Sequence, residues 1–420
     1  MSWQARKLGE FISIKHGWAF KGEYFSDAGK YILLTPGNAH ETGGLKLRPG
    51  KEKFYSGDFP PDYLMKSGDM LVVMTDLIQA APILGGAIVV PEDDRFLHNQ
   101  RLGLVEFISE TPIDKDFLYY LLNSPDYRAQ VRGSATGATV RHTAPRRMCD
   151  CNVLVPDTLA EQRKVAQVLS AYDDLIATNQ RRIALLEDAA RRLYREWFVH
   201  LCFPGHESVP VKDGVPEGWQ AGLLGSLMKT SSGGTPSRKR ADFFGSGIPW
   251  VKTKELNDGF LFETEEEITL AGLESSSAKI FPAGTVLLAM YGATIGMTAL
   301  LAKPAATNQA CCAFLVAETK GLSYYCFQWL KEIKQKLISL GMGAAQPNLS
   351  QEVIKKLEFL LPSAQVLDGY HEAVSPIFVQ MATLFRQNRT LAQTRDLLLP
   401  KLMSGQLDVS GIRLPEEIAA

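Results

Sequence analysis

Residues 159–199 read LAEQRKVAQVLSAYDDLIATNQRRIALLEDAARRLYREWFV, a run of 41 positions with neither glycine nor proline. Inside it, Val165, Leu169, Tyr172, Ile176, Asn179, Ile183, Leu186, Ala190, Leu193 and Trp197 recur in alternating steps of four and three. That alternation is a heptad seam, the pattern of a long helix packed lengthwise on another. At about 1.5 Å per residue the helix would run roughly 60 Å, more than a single domain covers. A second seam follows at Tyr370, Val374, Ile377, Met381, Leu384, Asn388, Leu391, Arg395, Leu398 and Leu402. Each seam holds one asparagine, Asn179 or Asn388. A buried heptad asparagine sacrifices stability for register, and two facing amides can satisfy one another. Antiparallel packing puts Asn179 beside Asn388, and with it Leu186 beside Met381, Leu193 beside Val374, Trp197 beside Tyr370 and Tyr172 beside Arg395. Pro376 is expected to mark a kink or the helix start.

Outward from the helices the chain repeats itself. WQARKLGE at 3–10 returns as WQAGLLGS at 219–226, and GDMLVVMT from Gly68 returns as GTVLLAMY from Gly284, both 216 positions on. Asn99-Gln100 reappears as Asn308-Gln309, and VLVP at 153–156 as FLLP at 359–362. Four matches in the same order, at a period far too long for a solenoid, indicate a duplicated domain pair. Each globular part mixes short β-rich runs, such as those at 70–74, 86–90 and 285–290, with helical runs at 115–123 and 324–340. The expected division is therefore globular parts at 1–156 and 219–362, long helices at 157–200 and 363–405, a Pro/Gly linker at 201–218 and a tail at 406–420.

The bulk numbers exclude several classes. A chain of 420 residues that is 45% hydrophobic and 22% charged is globular, not collagen-like or disordered. No apolar run reaches a membrane span and MSWQARKLGEF lacks a signal-peptide core, so no membrane association and a cytoplasmic location are expected. Six cysteines without a repeated spacing suit a reducing compartment. With 45 basic against 46 acidic residues the net charge is −1, so nucleic-acid binding would need local patches.

Catalytic signatures are missing: there is no phosphate loop, zinc helix or nucleophile elbow, and no catalytic, cofactor or metal residue is assigned. Phe59-Pro60-Pro61-Asp62 reads as a loop, and Cys149 and Cys151 near His142 as ordinary thiols. What recurs is polar, basic, glycine-rich loops. SSGGTPSRKR at 231–240 offers Thr235, Ser237, Arg238, Lys239 and Arg240 to phosphates. YGATIG at 291–296 and GMGAAQPNLS at 341–350 add Tyr291, Gln346 and Asn348, the two amides being suited to an adenine edge. In the first half, residues 128–147 carry Arg128, Arg132, Arg141, Arg146 and Arg147 with His142. Two functional readings stay open: a sequence-reading DNA-binding protein, or a coiled-coil scaffold whose globular parts bind protein or RNA.

In combination these stretches resemble the DNA-specificity subunit of type I restriction-modification systems. The pieces that carry the resemblance are the two WQA openings, SGGTPSRKR, YGATIG, TNQA, QPNLS and LVPDTLAEQRKVAQVLSAYDDLI. YREWFVHLCFPGHE, VPEGW and LAQTRDLLLPKLMSGQLDV are also similar. The resemblance implies an α+β fold, with two target-recognition domains separated by two long antiparallel coiled-coil helices. Each domain would read half of a bipartite double-stranded DNA site. It also implies no catalysis of its own, two methylase subunits as partners, and restriction subunits joining them. The first half departs from the pattern: SIKHGWAFKGEYF stands for the SGGTPS-like loop, GSATGATVRHTAP for QPNLS, and MTDLIQAAPILGG stretches the YGATIG region.

Overall fold

The computed structural model describes residues 2–48, 50–316, 321–341, 348–409 and 411. The fold is mixed α/β and divides into two units, Met1–Ala177 with Thr390–Ala420, and Thr178–Arg389.

In the first unit a four-stranded antiparallel sheet runs in the order Ile12–His16, Leu102–Phe107, Met70–Val73, Ala87–Val89. Met70–Val73 is buried at every position, which explains why it reads as an unbroken apolar run rather than an alternating one. A second sheet orders Phe25–Ser26, Phe54–Tyr55, Tyr31–Leu34 and Phe96–His98, the last two parallel. In the second unit Thr230–Ser232, Cys311–Phe314, Val286–Ala289, Thr298–Leu301 and Gly259–Leu261 make one sheet. Glu267–Ile268, Phe244–Val251, Ala305–Thr307 and Ile280–Phe281 make the other, with a parallel central pair.

Main-chain bonds of the two units fall at matching sequence positions. Trp3–Lys7 pairs with Asn152–Pro156, and Gln220–Leu223 with Glu358–Leu361, so Gln4 opposes Val155 where Gln220 opposes Leu361. The Leu8 amide donates to the Cys151 carbonyl at 3.0 Å, and the Leu224 amide to that of Leu357 at 2.8 Å. The repeated asparagines cap the same turn, Asn99 accepting from the Arg101 amide at 2.9 Å and Asn308 from the Ala310 amide at 3.1 Å. Glycine is required at one equivalent place in each unit. A Cβ on Gly17 would sit 2.1 Å from the Asn99 carbonyl oxygen, and one on Gly233 1.9 Å from that of Thr307.

Two long helices, Leu159–Tyr194 and Ala364–Met403, carry the heptad seams. All twenty seam positions are buried or half-buried, whereas most positions between them are exposed. Within the first unit Val165 and Leu169 share a core with Leu402, and Arg395 pairs with Asp173 at 2.5 Å. Within the second, Ala190, Tyr194 and Phe198 share a core with Tyr370, Val374 and Phe378, and the Trp197 and Tyr370 rings lie 5.8 Å apart. The first helix ends in one wider π turn, Arg195–Val199. Of the two expectations for Pro376, the helix start is not met: the helix begins twelve positions earlier and runs through it. The burial of Val374, Phe378 and Met381 around Pro376 supplies apolar contacts against the loss of one amide donor.

The stretch expected as a linker, 201–218, forms a small hairpin, Val211–Lys212 with Val215–Pro216. Phe203 is buried in the second unit's core, 5.2 Å from the Trp219 ring. Of the expected tail, Val409 is buried in the first unit's core. No helix among the described residues is long and apolar enough to cross a membrane.

Candidate nucleic-acid interface

In the first unit the candidate residues gather around a short strand pair. Arg141 opposes Asp76 and His142 opposes Thr75. The His142 Nδ1 lies 3.0 Å from the Thr75 hydroxyl, and the Thr143 amide ties the strand to the Met74 carbonyl at 2.9 Å. Arg132 stands near the end of the helix Pro125–Ser134, and Arg146 and Arg147 lie on the short helix Pro145–Cys149. The Arg141 guanidinium donates to the carbonyls of Arg132 at 2.9 Å and Ala135 at 3.4 Å, and Arg147 donates to that of Ser134 at 2.9 Å. Carbonyls satisfy donors without cancelling charge. Among the described residues, Arg132, Arg141, Arg146 and Arg147 make no ion pair.

Arg128 differs from the other arginines of its tract. It is buried and donates to the carbonyls of Glu41 and Pro82, where it closes two loops. The tract therefore presents four cations, not five. Cys149 and Cys151 donate to main-chain carbonyls, of Ile12 at 3.8 Å and Arg147 at 3.5 Å. Burial raises the Cys149 thiol and pushes that of Cys151 up to about 11.

The second unit's loop has the opposite electrostatic arrangement. Arg238 meets Glu266 at 2.6 Å and lies over the rings of Phe244 and Trp250, at 4.2 and 5.2 Å. Glu266 also accepts from Lys252 at 2.6 Å, and the bonds from Arg238 and Lys252 hold its carboxyl down at about 2. Arg240 forks onto Asp242 at 2.8 and 2.7 Å, and its hydrogen bond holds the Asp242 carboxyl below the usual carboxylate range. Both arginines are thus engaged in shaping the loop. Lys239 is exposed and makes no ion pair among the described residues. Ser237 is exposed, and Thr235 donates to Gln309 at 2.5 Å.

Tyr291 and Asn348, both exposed, face each other in an antiparallel bridge. The Leu349 amide anchors this bridge to the Met290 carbonyl at 2.8 Å. It thereby matches the anchor of Thr143 on Met74, and the Tyr291 and Asn348 pair occupies the position of Thr75 and His142. Gln351 donates to Ser232, which joins the segment after Asn348 to the serine-rich loop. Gln346 lies outside the described residues. Sequence reading did not single out Glu266, Asp242, Gln309 or Thr75. Asp242 was detectable two positions from Arg240, and Gln309 by its place in the repeated Asn-Gln pair. Nothing in the run of acids at 265–267 says which one meets an arginine 28 positions away.

Of the two heptad asparagines, Asn179 is buried and Asn388 half-buried. Tyr120 donates to Asp173 at 2.6 Å, and Asp173 also holds Arg395, so one carboxylate links a globular helix to the second long helix within the first unit. Burial opposes the Arg395 charge, but Asp173 and Asp396 outweigh it and raise its pKa.

Two mixed α/β units that present cations and polar bridge residues from loops beside their sheets are suited to gripping a polyanion and reading its edges. Residues 1–188 and 216–368 match the model of the type I restriction modification DNA specificity domain, and the chain belongs to that family. It is 25% identical over 315 residues to the type I restriction enzyme MjaIX specificity subunit of Methanocaldococcus jannaschii, covering 73% of this chain and 72% of that one. With the HindI specificity subunit of Haemophilus influenzae it shares 23% over 441 residues, covering 87% and 90%. The S subunit of a type I restriction-modification system from M. genitalium has the same fold, at a TM-score of 0.57 and 16% identity over 96% of each chain. The chain is a DNA-binding specificity subunit, the recognition component of such a system and not its enzyme.

Proposed function

We propose that this subunit reads a bipartite duplex site, each globular part reading one half. The globular parts, 1–156 and 219–362, are in this reading two copies of one recognition domain. The long helices at 157–200 and 363–405 form an antiparallel coiled coil that sets the half-site spacing and docks two methylase subunits, which restriction subunits join in the cytoplasm. The observation that carries the reading is the shared anchor: Thr143 on Met74 and Leu349 on Met290 hold His142 with Thr75 and Asn348 with Tyr291 at equivalent places. Different side chains on one scaffold are what two unlike half-sites call for. Trp197 beside Tyr370 and Asp173 beside Arg395 support the antiparallel register, which brings Asn179 opposite Asn388.

Phosphate contacts fall to Arg132, Arg141, Arg146 and Arg147 in the first domain. In the second they fall to Lys239 with the hydroxyls of Thr235 and Ser237, while Arg238 and Arg240 hold the loop. Base edges fall to His142, Asn348, Tyr291 and Gln346. The test maps methylated adenines in cells carrying the subunit with its methylase. Asn348→Ala should relax one half-site and His142→Ala the other, each good bidentate contact discriminating by about 1 to 3 kcal/mol. Unchanged preference in both variants refutes the assignment.

A further inference from the structure

Leu77 and Ile78 follow directly on the strand that pairs with Arg141 and His142. They are 60% and 57% exposed, the only two neighbouring large apolar residues so exposed among the described residues. Single apolar side chains are exposed elsewhere in the unit, Leu397 and Leu175 among them, but an adjacent pair left in water forgoes more burial. The loop that carries them is pinned. The buried Asp76 carboxylate accepts from the amides of Ile78 at 3.0 Å and Ile83 at 2.9 Å, and the Ala81 amide closes on the Ile78 carbonyl at 2.9 Å. A buried acid that spends both oxygens on holding a loop open is a device for presentation.

The strand that leads into this loop pairs with an arginine-bearing stretch. Arg141 is the cross-strand neighbour of Asp76, and Arg146 and Arg147 lie a few residues beyond His142. A surface that joins positive charge to an aliphatic tip beside the Thr75 and His142 pair suits duplex DNA, whose phosphates the arginines can address while the tip meets a base edge. At the base edges of the major groove the apolar group open to such a tip is the C5 methyl of thymine. The matching positions of the second unit are Ala293 and Thr294, so only the first unit carries the tip.

We propose that Leu77 and Ile78 are specificity-determining residues that recognise thymine methyl groups in the half-site read by the first unit. The inference rests on the DNA-reading function proposed above. Its test uses the subunit assembled with its methylase and a duplex carrying the mapped site, in which deoxyuridine replaces the thymines of one half-site at a time, removing the methyl and nothing else. Affinity of the unmodified protein should fall about fourfold per contacted methyl when the first half-site is changed. The Leu77→Ala, Ile78→Ala variant should bind the thymine duplex more weakly, ignore the deoxyuridine change, and keep the second half-site preference. A first half-site without thymine, or an unmodified protein indifferent to deoxyuridine there, overturns the proposal even if the variant misfolds. A variant that loses methylase assembly while the deoxyuridine arm shows no effect makes the tip a protein contact and overturns it too. Absence of any salt-dependent, site-specific binding by the unmodified complex would instead overturn the DNA-reading function itself.

Discussion

The contrast between free and neutralised arginines can be read in a salt titration. Each phosphate contact adds about 0.9 to the slope of log K against log salt, so over the fourfold range from 50 to 200 mM each contact accounts for about a 3.5-fold loss of affinity. Arg146 is exposed and has no carboxylate partner among the described residues, whereas Arg238 is closed on Glu266 at 2.6 Å and stacked over two rings. Arg146→Ala should therefore lower the slope by about one contact, making the complex about 3.5-fold less salt-sensitive over that range. Arg238→Ala should leave the slope unchanged and act through loop stability. The assay is fluorescence anisotropy of the methylase-bound complex on a labelled duplex at four or five salt concentrations, with melting temperatures in parallel. Equal flattening by both substitutions would show that Glu266 does not neutralise Arg238 when DNA is bound, and the division of phosphate ligands would fail.

Breaking the half-buried Asp173 and Arg395 pair with either alanine should destabilise by about 1 to 2 kcal/mol, less than a fully buried pair because both side chains keep some solvent; a double-mutant cycle with no coupling contradicts the contact. His98 is buried and its pKa is pushed down to about 4. The unfolded chain binds a proton below about pH 6.5 that the folded one refuses, so stability is full above that pH and is lost toward pH 4. Between pH 7 and 5 the loss should be about 2 kcal/mol and absent in His98→Gln, by denaturant titration. Asn179→Leu with Asn388→Leu should raise the melting temperature while loosening register, and a clear fall would remove both residues from the seam.

The long helices were legible because heptad spacing is a property of neighbouring residues: a side chain four or three positions on faces the same way whatever surrounds it. All twenty seam positions lost solvent, Arg395 included. The repeat was legible for a similar reason, since equivalent main-chain anchors impose equivalent residues, as the two WQA openings and the two Asn-Gln turns show. Charge was not legible in this way. Arg128, Arg146 and Arg238 look alike in the sequence, yet the fold buries the first on two carbonyls, exposes the second and closes the third on Glu266. An arginine's function depends on which carboxylate or carbonyl a distant loop brings within about 3 Å, a distance that spacing along the chain does not encode. The exposure of Leu77 and Ile78 belongs with these cases: by composition they are core residues, yet the fold leaves them in water on a loop that the buried Asp76 carboxylate and the Ala81 amide pin.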